Sequence, residues 1–245
     1  SERTQLFETL SIPKAVIKLS VPTILSSLVM VLYNLADTFF VGMLNDPVQN
    51  AAVTLAAPAL LAFNAINNLF GVGSSSMMSR ALGRRDIKTV ERSSAFGFYS
   101  ALFCGLLLSL LYTVSRSFML GVLGAEGENL DATSDYLFWT TTLGAAPSIL
   151  NVVMAYLVRA EGSALHASLG TMSGCILNII LDPLFIMPWG FNMKASGAGL
   201  ATFISNCAAC LYFFVLIAIR RGKTHVNISP KNFRPDREIV FGVCG

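Results

Sequence analysis

Two aspartates, Asp37 and Asp182, each interrupt a long apolar stretch that carries no Lys or Arg. An ionised side chain inside a membrane costs roughly a few kcal/mol or more at mid-depth, so such residues are rare and ask for a reason. Tyr33 lies four residues before Asp37, and Asn178 lies four before Asp182. That spacing puts the members of each pair on one helix face. Thr202 falls near the start of the next apolar stretch. Two carboxylates, an amide and a hydroxyl make an oxygen-only set. It suits a hard monovalent cation such as sodium, held by Asp37, Asn178, Asp182 and Thr202, or a proton shared between the carboxylates. Tyr33 stands where it could orient Asp37. Pro183, directly after Asp182, removes a backbone donor and frees a carbonyl one turn earlier, which could serve an ion or simply kink the helix for packing. The plainer alternative is that each aspartate snorkels to head groups or caps a neighbouring helix.

A second group of polar residues needs a similar choice. Asn64, Asn67 and Asn68 precede Gly71, Gly73 and the run Ser74-Ser75-Ser76, with Asn64 and Asn68 sharing a helix face; Asn151 stands alone in a later stretch. Asn64, Asn68 and Asn151 could line a water-filled substrate cavity, or act as interhelical hydrogen-bonding groups contributing about 1 kcal/mol each. The nine Met and 17 Phe could build an adaptable greasy pocket, although lipid-facing packing accounts for most of them. Cys207 and Cys210 form a single C-x-x-C without a second pair or a histidine cluster, too few ligands for zinc. No nucleophile elbow, phosphate loop, metal-binding helix or histidine dyad is visible, so nothing points to an enzyme. An intramembrane aspartyl-type enzyme stays open only because it too would place two aspartates at one depth.

The elements that must position these residues follow from composition. Over half of the 245 residues are hydrophobic and 13% are charged, with a mean hydropathy of +0.64. A soluble domain would carry about 25% charged residues. A helix crossing a ~30 Å hydrocarbon core needs about 20 apolar residues. Six segments meet this, at about 19–43, 52–77, 94–114, 136–158, 165–187 and 197–219. The expected fold is all-α, a polytopic membrane bundle of six transmembrane helices. With the N-terminus in the cytoplasm, 15 of the 17 Lys and Arg fall on the cytoplasmic side, and only Arg116 and Lys194 fall outside. That bias fixes both termini as cytoplasmic, in a multi-pass plasma (inner) membrane protein. On this topology Asp37, Asp182 and Thr202 lie roughly 8 Å below the outer boundary, at ~1.5 Å per residue. The sequence before the first span predicts no secretory signal. The sequon Asn227-Ile228-Ser229 falls on the cytoplasmic side, where glycosylation is not expected. The basic residues form no groove-like patch, which argues against a nucleic-acid partner.

Five motifs then give a joint signal. Tyr33-Asn34-Leu35-Ala36-Asp37-Thr38-Phe39-Phe40-Val41-Gly42 on the first span, Ala81-Leu82-Gly83-Arg84-Arg85-Asp86 after the second, Leu157-Val158-Arg159-Ala160-Glu161-Gly162 after the fourth, Asn178-Ile179-Ile180-Leu181-Asp182-Pro183 on the fifth and Gly197-Ala198-Gly199-Leu200-Ala201-Thr202 on the sixth fall in order. With them the chain resembles the multidrug and toxic compound extrusion (MATE) family of secondary antiporters, from about residue 10 to its end. The resemblance implies a chain of twelve helices in two six-helix lobes, of which this is the N-terminal one. It implies a cation site at the positions of Asp37, Asn178, Asp182 and Thr202, with Tyr33 nearby. It also implies export of lipophilic or cationic drug-like compounds in exchange for sodium ions or protons, with no other cofactor. Lipid-headgroup flippases share the wider fold and are the alternative reading. Residues 235–245 loosely echo residues 13–22, the approach to the first span. The expected organisation is therefore a cytoplasmic N-terminus (1–18), a transmembrane lobe (19–220), and a linker leading into a second lobe (221–245), with that lobe and the bilayer as partners.

Overall fold

The computed structural model describes residues 12–222, 224–233 and 235–244. Residues 1–11, most of the expected cytoplasmic N-terminus, lie outside the described residues, as do Lys223 and Arg234. The described chain is helical: α1 (Ile12–Gly42), α2 (Pro47–Gly83), α3 (Ile87–Val114), the short α4 (Arg116–Val122), α5 (Asn129–Leu143), α6 (Ala145–Ala160), α7 (Ala164–Ile186), α8 (Lys194–Ile219) and α9 (Arg237–Cys244). Five of these are long and apolar enough to cross a membrane; α5 and α6, bent 51° from each other, make a sixth span if taken together.

The six spans stand where hydropathy placed them, but their ends move outward. The second runs from Pro47 to Gly83 rather than 52–77, and the sixth begins at Lys194 rather than 197. Apolar counting stops where polar residues begin, whereas a helix continues until its hydrogen bonding ends. Cap chemistry marks those true ends. Asp46 accepts from Val48 N at 3.0 Å with Pro47 in the first turn of α2. Asp86 accepts from Thr89 N at 3.2 Å to open α3.

The fourth span differs more. Expected as one helix over 136–158, it starts at Asn129, widens into a π-turn over Phe138–Leu143, and breaks at Gly144. A Cβ at Gly144 would lie 2.4 Å from Trp139 O and 2.6 Å from Thr140 O, so the bend requires glycine there. The Thr142 carbonyl at this break accepts from Ser109 Oγ of α3. A second π-turn, Asn67–Val72, sits inside α2.

Two cores hold the bundle. The larger centres on α6, where Ile149, Val153, Met154 and Leu157 are fully buried with Met78, Val90 and Phe213. The other gathers Val41, Tyr136, Leu137, Ile186 and Ala198. The helix α1 packs chiefly on α7, and most of its apolar side chains stay exposed, from Val16 through Leu28 and Leu35 to Met43. In water such a surface would be untenable; in a bilayer it is the expected exterior.

The tail is not a free linker. Residues 224–233 and 235–244 fold back on the end of α2 and the start of α3, where Ile239 and Val243 are buried with Met77 and Phe96.

Candidate functional site

Along α1 most polar side chains are satisfied by the helix itself. Ser26 and Ser27 donate to Thr23 O, Asn34 to Met30 O and Thr38 to Asn34 O, at 2.9–3.0 Å. Asp37 cannot do this, because a carboxylate only accepts and the helix offers it no free donor. Its Oδ1 is buried with no hydrogen-bond partner. An uncompensated buried acceptor of this kind is costly.

The partners that sequence spacing suggested are gathered around it. Asp182 of α7 is fully buried and Asn178, one turn away, is 1% exposed. With its amide oriented so that every neighbour is satisfied, nitrogen toward the carboxylate, Asn178 bridges two helices: it donates to Asp182 Oδ2 at 2.9 Å and accepts from Thr202 N at 3.1 Å and Thr202 Oγ1 at 3.3 Å. The Tyr33 hydroxyl meets the Thr202 side chain, and Tyr33 lies within electrostatic reach of both Asp37 and Asp182. The two carboxylates interact with each other as well. So α1, α7 and α8 bring all five predicted residues into one cluster. Among the described residues no group of three or more His, Cys, Asp or Glu gathers to bind a metal ion, here or elsewhere. An oxygen set mixing carboxylate, amide and hydroxyl fits a hard monovalent ion rather than a transition metal.

Beside the cluster, and lined by its Tyr33, Asn178 and Thr202, lies a cavity of about 220 Å³. Asn64 and Asn151 line it, as expected for cavity residues. Asn68 does not line it and is exposed, and Asn67 faces the cavity in its stead. The face shared by Asn64 and Asn68 assumed regular winding, but the π-turn begins at Asn67 and rotates the residues after it. Asn67 is buried with its Oδ1 unpartnered. Asn151 is held by a 2.8 Å hydrogen bond from its Nδ2 to Asn206 Oδ1 of α8.

Two residues here escaped sequence reasoning. Tyr136 is 4% exposed and lies within electrostatic reach of Asp37, Tyr33 and Asp182. Hydropathy put it at the very start of the fourth span, hence at the outer boundary. The helix in fact begins seven residues earlier, which carries Tyr136 roughly 10 Å inward at ~1.5 Å per residue. Asn206 was readable, since it lies four residues after Thr202 and therefore on the same face of α8.

With this geometry in place, comparison with known proteins is decisive. The MatE family model matches residues 22–184, two of the three helices of the cluster included. The chain belongs to the MatE family. Among curated MatE relatives, the multidrug export protein MepA of Staphylococcus aureus (strain MSSA476) is 34% identical over 239 residues, which is 98% of this chain and 52% of that protein. MepA of Staphylococcus saprophyticus is 33% identical over 242 residues, covering 99% of this chain and 52% of that protein. Among solved MatE relatives, an outward-facing multidrug resistance MATE family transporter of the MOP superfamily superposes with a TM-score of 0.86 at 30% identity. The match covers 99% of this chain and 52% of that one. A MOP superfamily transporter from Pyrococcus furiosus, for which a binding pocket of reverse polarity suggests a different function, gives 0.87 at 31%, with the same coverage. The MatE chain described here thus spans about half the length of the curated relatives it matches.

Proposed function

We propose that this MatE chain is the N-terminal lobe of a multidrug antiporter, exporting lipophilic or cationic compounds in exchange for sodium ions or protons. One observation carries the reading: Asp37 presents a buried, partnerless oxygen beside a second carboxylate that two other helices already hold. A sodium ion would be held by Asp37, Asp182, Asn178 and Thr202, and a proton would be shared between the carboxylates. Either neutralises like charges on separate helices, and so removes a repulsion between α1 and α7 at that depth. Tyr33 would orient Asp37 from one turn away. Asn64 and Asn151 would face cargo in the neighbouring cavity, with the opposing wall supplied by a second lobe. The ion drives transport only by binding inward- and outward-facing states unequally. The lobe sits in the plasma membrane with both ends cytoplasmic.

The test is Asp37→Asn in the full-length protein, reconstituted in proteoliposomes with sodium and pH gradients imposed separately. Efflux in the variant should lose its dependence on the driving gradient. Unchanged efflux with unchanged ion dependence would overturn the mechanism.

A further inference from the structure

The connection of residues 187–193 between α7 and α8 is a closed turn that holds two aromatic side chains out of the fold. Pro188 ends α7 and has no N–H to offer the Leu184 carbonyl four residues back. That carbonyl accepts from Phe191 N at 2.9 Å instead, and the Phe185 carbonyl from Met193 N at 2.8 Å. The Met187 carbonyl takes both Gly190 N at 3.0 Å and Asn192 N at 3.1 Å. A Cβ on Gly190 would lie 2.0 Å from the Leu184 oxygen, so glycine is required where the turn crosses the end of α7. The backbone is fully engaged, but Trp189 is 72% exposed and Phe191 65%. Phe191 leans on Phe185, ring centroids 5.4 Å apart. Lys194, the first residue of α8, reaches Asp46 at 3.8 Å with half its side chain exposed, which leaves ammonium protons for a further acceptor. It is also one of the two basic residues that the charge bias leaves on the far side from the chain's ends.

The exposed surface of α7 runs straight into this turn. Ile176, Ile180 and Leu184, four residues apart, are exposed, whereas Asn178, Asp182 and Ile186 are buried. The two sets are offset by two residues, roughly 200° around the helix. The cavity beside the ion cluster takes Thr171, Gly174, Cys175 and Asn178 from α7, so it lies on the opposite side from the exposed stripe. In the two-lobe reading the second lobe closes that cavity. The stripe and the turn beyond it then face away from the second lobe, toward lipid.

We propose that the turn at residues 189–194 is a lipid anchor, seated in the phospholipid head-group layer on the membrane face opposite the chain's two ends. With both ends cytoplasmic, this is the outer leaflet. The three side chains match that layer in order. The phenyl and indole rings fill the zone where acyl chains meet head groups, with the indole N–H free to bond water or ester oxygens. Lys194 offers its charge to the phosphates at the same level. The turn joins the helices that carry Asp182, Asn178 and Thr202, so the anchor holds these three at a fixed depth in the bilayer. The anchor requires a membrane but not ion coupling.

The test uses the full-length protein with Trp189 as its single tryptophan, Trp139 and any tryptophan beyond residue 245 being replaced by Phe. It is reconstituted in vesicles of phosphatidylcholine and phosphatidylglycerol brominated near the top of the acyl chains, where bromine quenches an indole on contact. Emission should fall at least about twofold relative to unbrominated vesicles, as for an indole at the interface. A smaller fall overturns the anchor: quenching by iodide would then put the turn in water, and protection from iodide would put it under the second lobe. Should Trp139→Phe disturb folding, a nitroxide on Trp189→Cys, with the other cysteines removed, is the second measurement. It should collide more with oxygen dissolved in lipid than with an aqueous nickel complex, and the opposite order overturns the anchor. Efflux by the same vesicles keeps the two readings apart. Efflux without bromolipid quenching removes only the anchor, whereas quenching without efflux supports the anchor and removes the antiporter.

Discussion

Asn178 is the residue whose loss separates sodium coupling from proton coupling. Its amide donates to Asp182 Oδ2 at 2.9 Å while its oxygen accepts from Thr202, and at 1% exposure no water can replace it. Asn178→Ala removes a hydrogen bond to a charged group, worth about 1.5–3 kcal/mol. If sodium is the coupling ion, the carboxylate set loses both a supporting donor and a ligand. Half-saturating sodium for efflux should then rise roughly 10- to 100-fold, at about 1.4 kcal/mol per decade. If the proton couples, the sign reverses. A protonated Asp182 does not need the donor, so losing it penalises only the ionised state. The pH of half-maximal efflux then moves up by about one to two units, at about 1.4 kcal/mol per unit. The assay is efflux from proteoliposomes of the full-length protein, titrated once with sodium at fixed pH and once with pH at fixed sodium. Thr202→Val, which removes the 3.3 Å contact and the meeting with Tyr33 but leaves the amide on Asp182 in place, should shift the same curve in the same direction by less. A shift below about threefold on both axes, equivalent to about 0.7 kcal/mol, would refute the bridging role.

Two further predictions concern the scaffold. Phe213→Ala empties a fully buried ring site against α6 and Gly170 and should cost about 3–5 kcal/mol, read as a fall in unfolding temperature of roughly 6–20 °C in detergent; a fall of under about 2 °C would show that the site collapses around the gap. Gly73→Ala drives a methyl into the Val243 backbone, where overpacking costs about 1–3 kcal/mol; α9 should loosen, so trypsin should cut after Arg237 at least about fivefold faster, and an unchanged rate would mean that α9 is not held at this point.

What the sequence revealed and what it hid divide along a physical line. Burial of Asp37 and Asp182, the shared faces of Tyr33 with Asp37 and Asn178 with Asp182, and the six spans all follow from regular 3.6-residue winding and the cost of charge in lipid. Each was readable from residue spacing. The misses fall where winding is irregular. The π-turn at Asn67 exchanged Asn68 for Asn67 at the cavity, and the bent fourth span displaced Tyr136 from the boundary into the cluster. Wide turns leave no mark on hydropathy, because they change the angle between residues and not their polarity. Close backbone approach is equally silent: nothing in the residues around Gly73 says that Val243, far along the chain, will rest on it.

The distribution of satisfied and unsatisfied groups bears on which half of the proposed ion site would move. Asp182, Asn178 and Thr202 are joined by hydrogen bonds across α7 and α8, two helices with extensive mutual contact. Displacing either would break contacts already made. Asp37 gives up nothing of the kind, since its Oδ1 has no partner to lose. It rides on α1, where Ser26, Ser27, Asn34 and Thr38 bond within their own helix and only Tyr33 reaches across to Thr202, and whose outer surface is apolar and uncommitted. A packed pair of helices is bistable at best, whereas a helix held chiefly along one side can slide or bend at low cost. In the proposed cycle the α7–α8 pair is therefore the fixed jaw and α1 the moving one. The free energy of ion binding then appears as movement of α1, the helix that borders the cavity through Met30, Tyr33 and Asn34.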